Sequence, residues 1–461
     1  MFHRAELGLL DKPNIISMDL RQITLEYIRV LDACEGDSRE EMSRYQASLL
    51  ERLCRHARKT VPFYRERLDV LFDRQDRFSL ERWDEVAILT RQEVIQNKEA
   101  LTSTDVPESF GLAMNARTSG STGEPVVALV TGTEALVSAA IVHRFHRWHG
   151  FDPTGYVASL VSRRIRRPNA KRSSEGKYWG YVYRTLDIAG RHVSLNAQSP
   201  IAEQVDWLED MKPGYISSNP RIGLSLVNEY RRRGLSPSYT LNGFNMFGET
   251  RTVEIDDVIE DFFGVVPSSM YSAEELGNMA VECPQSRHYH VSEEINRLDI
   301  VDSLGRAVGL NVIGRVLVTP LYGYAMPRIR YEVGDEACPM PNCACGRPHA
   351  TISRILGRTS NLFQRPDGDF YRPERGFITT ARMHLGALAV QIAQINPRMI
   401  EVRYKSDPDR IVPPNEAQMT KEVIASVGYE TDVRFVQVEG IPAKANGKRE
   451  DFVREFKPVG E

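Results

Sequence analysis

Apolar residues spaced three and four apart run through residues 18–72, including Leu49, Leu50, Leu53, Cys54 and Ala57. This spacing predicts helix, and Pro62 predicts an end to one. Residues 73–115 are mixed. The run 126–130 (Val-Val-Ala-Leu-Val) reads as a strand and 133–149 as a helix. Tyr156–Val161 reads as a buried strand. Helices at 201–211 and 221–233 flank a strand at 215–218. A strand at 241–247 leads into a helix at 253–263. This alternation predicts an α/β fold with substantial parallel sheet. From Leu298 the pattern turns strand-rich, at 298–301 and 314–319. A boundary is expected around Gly357 and Arg358, followed by a small α+β domain over 362–461.

Composition narrows the class without naming a function. The 461 residues suffice for two or three domains, and 41% hydrophobic with 26% charged residues is ordinary for a globular chain. A formal net charge of -3 gives no global attraction to nucleic acid or to an anionic membrane. No apolar run approaches the ~20 residues of a membrane span. Charge interrupts the first ten residues too soon for a secretory signal, so the expected location is cytoplasmic. Of six cysteines, four (Cys283, Cys338, Cys343 and Cys345) fall within 283–345, more like a local site than a disulfide framework. Cys34 and Cys54 lie in helical patterns and read as packing residues.

The most informative stretch is Thr118-Ser-Gly-Ser-Thr-Gly-Glu-Pro-Val126. Gly120 and Gly123 allow tight turning and close approach to a ligand. Thr118, Ser119, Ser121 and Thr122 bring hydroxyls, and successive backbone N–H groups can form an anion-binding nest. The chemistry suits a polyphosphate, although an isolated run of this kind also fits an exposed turn. It lacks the Gly-Lys-Ser/Thr ending of a Walker A loop. A basic run, Arg163, Arg164, Arg166 and Arg167 with Lys171 and Arg172, reads either as a solvated loop or as a dock for the phosphates of coenzyme A or a carrier arm.

Three further segments follow in order: Tyr271-Ser-Ala-Glu-Glu275; Arg330-Tyr-Glu-Val-Gly-Asp335 with Ile355-Leu-Gly-Arg-Thr-Ser360; and Ile441-Pro-Ala-Lys-Ala-Asn-Gly-Lys448. The ordered set resembles the adenylate-forming superfamily of acyl-CoA synthetases, luciferases and peptide-synthetase adenylation domains. Within it the chain is most similar to the phenylacetate–CoA ligase-like branch, which includes coenzyme F390 synthetase-like members. Arg55-His-Ala-Arg-Lys-Thr-Val-Pro-Phe-Tyr-Arg65, Ala87-Ile-Leu-Thr-Arg-Gln-Glu93 and Cys343-Ala-Cys-Gly-Arg347 carry that closer likeness, which spans roughly residues 45 to 455.

The resemblance implies a large, multi-sheet N-terminal adenylating domain over 1–356, helical over about 1–115, and a small α+β lid over 357–461. It implies ATP-dependent conversion of a carboxylic acid, aryl or arylalkyl as the leading class, to acyl-AMP with release of pyrophosphate. The acyl group would then pass to coenzyme A or another acceptor. By the same resemblance the loop Thr118–Gly123 holds the β- and γ-phosphates. Gly248, Glu249 and Thr250 form an adenine-contacting turn, and Tyr271 lies against adenine. Glu275 holds Mg²⁺, Asp335 accepts the ribose hydroxyls, Arg358 reaches the ribose, and Lys448 is the catalytic lysine. Glu124 stands where the family usually has Lys, Glu274 replaces the usual threonine, and Ser360 stands at the hinge position.

Cys283, His290, Cys343 and Cys345 form a second constellation. Three thiolates and an imidazole make a closed tetrahedral zinc set, hence a structural one. His290 is preferred to His288 by likeness to zinc-bearing relatives, with Cys338 as the substitute thiolate. Related scaffolds also make amides, load carrier proteins or activate nitrite for diazotisation. A non-catalytic adenylate-binding assembly protein is the remaining alternative. The expected partners are a small carboxylate and coenzyme A or another acceptor, a carrier protein among them, with no nucleic acid and no membrane; a homodimer stays open.

Overall fold

The computed structural model describes residues 20–117, 126–161, 173–358, 362–368, 370–371, 373, 376–407, 413–441 and 451–456. The chain divides into two compact units, Met1–Leu356 and Gly357–Glu461.

In the first unit the helical pattern at 18–72 resolves into two helices, Leu20–Cys34 and Arg39–Thr60, and two short 3-10 turns. The break falls at Gly36–Ser38, because Ser38 and Glu41 form a reciprocal capping box that starts the second helix afresh. That helix buries Met42, Leu49, Leu50, Leu53, Cys54 and Ala57, and it stops before Pro62, whose ring cannot continue it. Cys34 and Cys54 are buried packing residues.

A ten-stranded sheet runs across the unit. Its order is Pro339–Met340, Thr351–Ile352, Tyr289–Val291, Gly277–Glu282, Ser268–Ala273, Gly243–Met246, Tyr215–Ser218, Tyr156–Val161, Arg191–Asn196 and Ser173–Gly176. The five strands from Ser268–Ala273 to Arg191–Asn196 are mutually parallel, and antiparallel strands flank them on both sides. Helices Ile201–Met211, Pro220–Arg232 and Val253–Phe263 contribute Val205, Leu208, Leu226, Val227, Tyr230 and Ile259 to a core with Ala158, Leu160, Ile216, Phe244 and Met246 of the strands. Strands Asn296–Val301, Gly314–Pro320 and Tyr331–Ala337 pair antiparallel in a second sheet. The hairpin Ala113–Arg117 with Val127–Thr131 brackets the Gly/Ser/Thr run, Arg117 lying opposite Val127.

The second unit is α+β. Strands Ala387–Asn396 and Met399–Ser406 form an antiparallel pair, flanked by parallel partners Phe452–Arg454 and Asp432–Gln437. Helices Gly376–Leu385 and Glu416–Val427 complete a core that includes Leu385, Ile392, Ile400, Val402, Met419, Val423 and Phe452.

Candidate functional site at the carboxyl edge of the sheet

Open α/β sheets bind ligands beyond the carboxyl ends of their parallel strands, where loops are free to converge. Two expected contact segments leave this edge. Gly248, Glu249 and Thr250 follow Gly243–Met246. Phe247 N–H donates to Ser218 O at 3.1 Å, and Gly248 takes a φ of +78°, a left-handed turn that suits glycine. Glu249 pairs with Arg221 at 3.5 Å. Thr252 then caps helix Val253–Phe263.

Tyr271 lies on Ser268–Ala273, and Glu275 in the turn to Gly277–Glu282. Glu274 and Glu275 both lie in the turn of this β-hairpin. The turn is held tightly. Gly277 has a φ of +71°, and a Cβ there would lie 2.5 Å from Ser138 Oγ. The Ser138 hydroxyl accepts Asn278 N–H at 3.0 Å. Helix Gly132–Trp148 thereby clamps the hairpin from behind, and Glu275 is buried.

Opposite this hairpin stands Tyr331–Ala337, with Asp335 just after Gly334 at φ +83°. The two segments interlock reciprocally. Tyr271 donates its hydroxyl to Asp335 Oδ2 at 2.8 Å. Tyr331 donates to Glu275 Oε1 at 3.3 Å. Each tyrosine therefore orients the acid that lies four residues beyond the other tyrosine. Burial, then the Glu275 charge beside it, pushes the Tyr331 hydroxyl well above its ordinary pKa, so it stays a proton donor. An aromatic wall and two oriented carboxylates at one sheet edge suit a nucleotide with its metal.

A buried ionic network lies beneath. Arg251, next to the Gly248–Thr250 turn, bonds Glu282 and reaches Asp256 at 2.9 Å. Glu282 also accepts Ser269 N–H at 2.9 Å, from the strand that carries Tyr271. Arg287 and Arg354 complete the network on Asp256 at 2.9 Å and 2.7 Å. One buried carboxylate thus ties the turn to the tyrosine strand.

Cys283, His290, Cys343 and Cys345 come together as expected, with one ligand atom from each lying within 4.8 Å of the others. Cys283 and Cys343 Sγ atoms are 3.7 Å apart, and Cys345 Sγ is 3.3 Å from His290 Nε2. Cys338 lies apart, its Sγ directed to Met340 Sδ at 3.8 Å, and His288 is outside the cluster. Burial, reinforced by His349 and Arg347, pushes His290 down to about 3, so the imidazole is neutral and free to ligate. Burial opposes ionisation of Cys283, yet N–H groups of Ser286 and Gln285 hold its pKa below the ordinary thiol value. Burial raises that of Cys345.

The loop Thr118, Ser119, Gly120, Ser121, Thr122, Gly123 and Glu124, the basic run, Ser360 and Lys448 lie outside the described residues. Arg358 ends the strand Gly357–Arg358, and its side chain also lies outside them. Sequence reasoning missed Tyr331, Arg251, Glu282 and Arg91. A signal for Tyr331 was present, because Tyr331 to Asp335 repeats the spacing of Tyr271 to Glu275.

No family model matches the chain. A phenylacetate–coenzyme A ligase of Thermus thermophilus is 27% identical over 318 residues, 65% of this chain and 67% of that protein. One of Pseudomonas putida is 23% identical over 331 residues, 68% of this chain and 70% of the relative. Among solved structures, 2-hydroxyisobutyryl-CoA ligase in the postadenylation state, in complex with R3-HIB-AMP, superposes with a TM-score of 0.69. It is 18% identical, over 91% of each chain. That likeness carries the fold.

Proposed function

From a chain that has the fold of the adenylate-forming acyl-CoA ligases and is related in sequence to phenylacetate–coenzyme A ligases, we infer an AMP-forming ligase. It joins a carboxylic acid to the α-phosphate of ATP, releases pyrophosphate, and passes the acyl group to coenzyme A. The relatives' substrate favours an aryl or arylalkyl acid. The observation that carries the reading is the reciprocal Tyr271–Asp335 and Tyr331–Glu275 pairing at the carboxyl edge of the parallel sheet.

In this mechanism Tyr271 packs against adenine and Asp335 accepts ribose hydroxyls, while the Gly248–Thr250 turn borders the base. Glu275 is the carboxylate for magnesium. Its burial and oxygen chemistry fit that ion, which supplies charge neutralisation between the phosphates when bound. The Thr118–Gly123 loop cradles the β- and γ-phosphates. Lys448, on the proposed lid 357–461 with Arg358 at its start, stabilises charge at the α-phosphate and the attacking carboxylate. The second step follows a lid movement that carries Lys448 away. Cys283, His290, Cys343 and Cys345 fit a zinc ion with no vacant position, which gives that ion a structural role. The cytoplasm is the proposed location; among the described residues no helix is long and apolar enough to cross a membrane.

The test is pyrophosphate release from ATP with magnesium, against aryl, arylalkyl and aliphatic acids and nitrite, followed by thioester formation on adding coenzyme A. Release that depends on an aryl or arylalkyl acid, with AMP as the second product, is expected. Absence of acid-dependent release with every acid would overturn the ligase reading. Release with nitrite alone would move it to diazotisation.

A further inference from the structure

Ala87-Ile-Leu-Thr-Arg-Gln-Glu93 carries part of the family likeness yet has no place in the function just proposed. In the fold it runs beside the strand that bears Asp335. Leu89 forms a parallel bridge with Tyr331. Leu89 N–H donates to Arg330 O at 3.1 Å, and Glu332 N–H donates to Leu89 O at 3.0 Å. Thr90 and Glu93 then form a capping box that fixes the start of helix Arg91–Gln96, with Arg91 as its first residue. Arg91 lies beside the Tyr331 hydroxyl and opposes the rise in its pKa. Tyr331 in turn reaches Glu275 Oε1.

The chemistry of these groups allows one polarity. Guanidinium only donates, an ionised carboxylate only accepts, and the phenol has one proton and free lone pairs. Arg91 can therefore act on Tyr331 only as a donor, and Tyr331 donates to Glu275. The strand end is pinned from the same side one residue earlier. Arg330 is fully buried at φ +51°, and its guanidinium bonds Trp83 O at 3.1 Å, Asp84 at 3.0 Å and Gly305 O at 2.6 Å. The segment 83–91 thus grips both ends of the Arg330–Tyr331 step.

We propose that Arg91 and Tyr331 are positioning residues that hold Glu275 in the orientation magnesium–ATP requires, an inference that rests on Glu275 as the metal carboxylate. Magnesium tolerates little departure from octahedral geometry, so fixing one carboxylate oxygen directs the other. Neither residue touches the reacting atoms.

The test is Tyr331→Phe, which deletes a single oxygen, beside Arg91→Ala and Glu275→Gln. For Tyr331→Phe, the half-saturating magnesium concentration for pyrophosphate release should rise about 3–10-fold, the scale of one lost hydrogen bond. The rate at saturating magnesium should change little. The magnesium-dependent thermal stabilisation by ATP, read without turnover, should move to higher magnesium by the same factor, and Arg91→Ala should move it the same way. A wild-type magnesium curve in both variants, beside a shifted one in Glu275→Gln, would overturn the positioning role while leaving Glu275 in place. An unshifted curve in Glu275→Gln would overturn both the role and the reading of Glu275.

Discussion

A tyrosine and an acid four residues apart, met twice on facing segments, make the site a matter of single hydroxyls and carboxylates. Asp335 accepts from Tyr271 at 2.8 Å and, in the proposed reading, from the ribose as well. Asp335→Ala should raise the ATP dissociation constant about 10–100-fold, since bonds to a charged acceptor contribute about 1.5–3 kcal/mol. Titration calorimetry checks this, and unaltered binding would mean that the Arg330–Asp335 segment is misaligned. In the proposed reading Lys448 acts at a different moment. Lys448→Ala should slow adenylate formation by about 10²–10³-fold, the scale of one lost preorganised donor. Transfer from supplied acyl-AMP to coenzyme A should largely survive. Pyrophosphate exchange beside that half-reaction separates the cases: equal loss in both marks a structural lysine.

At the scale of elements, the segments that carry the proposed zinc ligands join strands distant in sequence. Cys283 closes off the hairpin that bears Glu275, and His290 lies on the short strand Tyr289–Val291. Cys343 and Cys345 precede Thr351–Ile352, which pairs with that strand. Purified protein should hold about one zinc per chain by elemental analysis. Cys343→Ala should release it and lower the melting temperature. Stability unchanged after metal removal would rule out a structural zinc. Elements with a clear period were legible beforehand: Tyr156–Val161, Ile201–Met211 and Val253–Phe263 appear with the expected bounds, and the short strand Tyr215–Ser218 was legible from the helical patterns on either side of it. Short strands such as Ala113–Arg117, Tyr289–Val291 and Thr351–Ile352 were not, because two to five residues carry too little period to distinguish strand from loop. Proximity was legible where a motif names a side chain: Tyr271 meets Asp335 in a hydrogen bond, and the three cysteines meet His290. Arg251, Glu282 and Arg91 were illegible because their roles depend on partners, such as Ser269 bonded to Glu282 and Tyr331 beside Arg91, which only the fold brings within reach.

At the scale of the molecule, the N-terminal unit buries titratable groups that couple its stability to pH. His146 sits on helix Gly132–Trp148, with Nδ1 2.7 Å from the Tyr183 hydroxyl, its ring stacked on Tyr183 and Phe151. Burial, with His143 and His149 nearby, pushes its pKa down to about 3. The unfolded value is about 6.5, so its contribution is whole above about pH 6.5 and shrinks as pH falls toward 3. The loss approaches about 1.4 kcal/mol per pH unit in that window. Glu294 adds a second, more acidic window. Burial opposes its ionisation, but Arg144 at 2.6 Å and His349 at 2.8 Å outweigh that and hold its carboxyl well below the usual range. Its contribution is present above about pH 4.3 and is lost below. All four tryptophans, Trp83, Trp148, Trp179 and Trp207, lie in the Met1–Leu356 unit, so tryptophan fluorescence follows the unfolding of that unit alone. Urea unfolding at pH 7.5, 6.5, 5.5, 4.5 and 3.5 should show stability falling below pH 6.5. His146→Phe should flatten the fall between pH 6.5 and 4.5 while leaving the steeper loss below pH 4.3. The bond lost from Tyr183 costs a similar amount at every pH, so the slope isolates the titration from the packing. Parallel slopes for wild type and variant would show that His146 takes up no proton on unfolding.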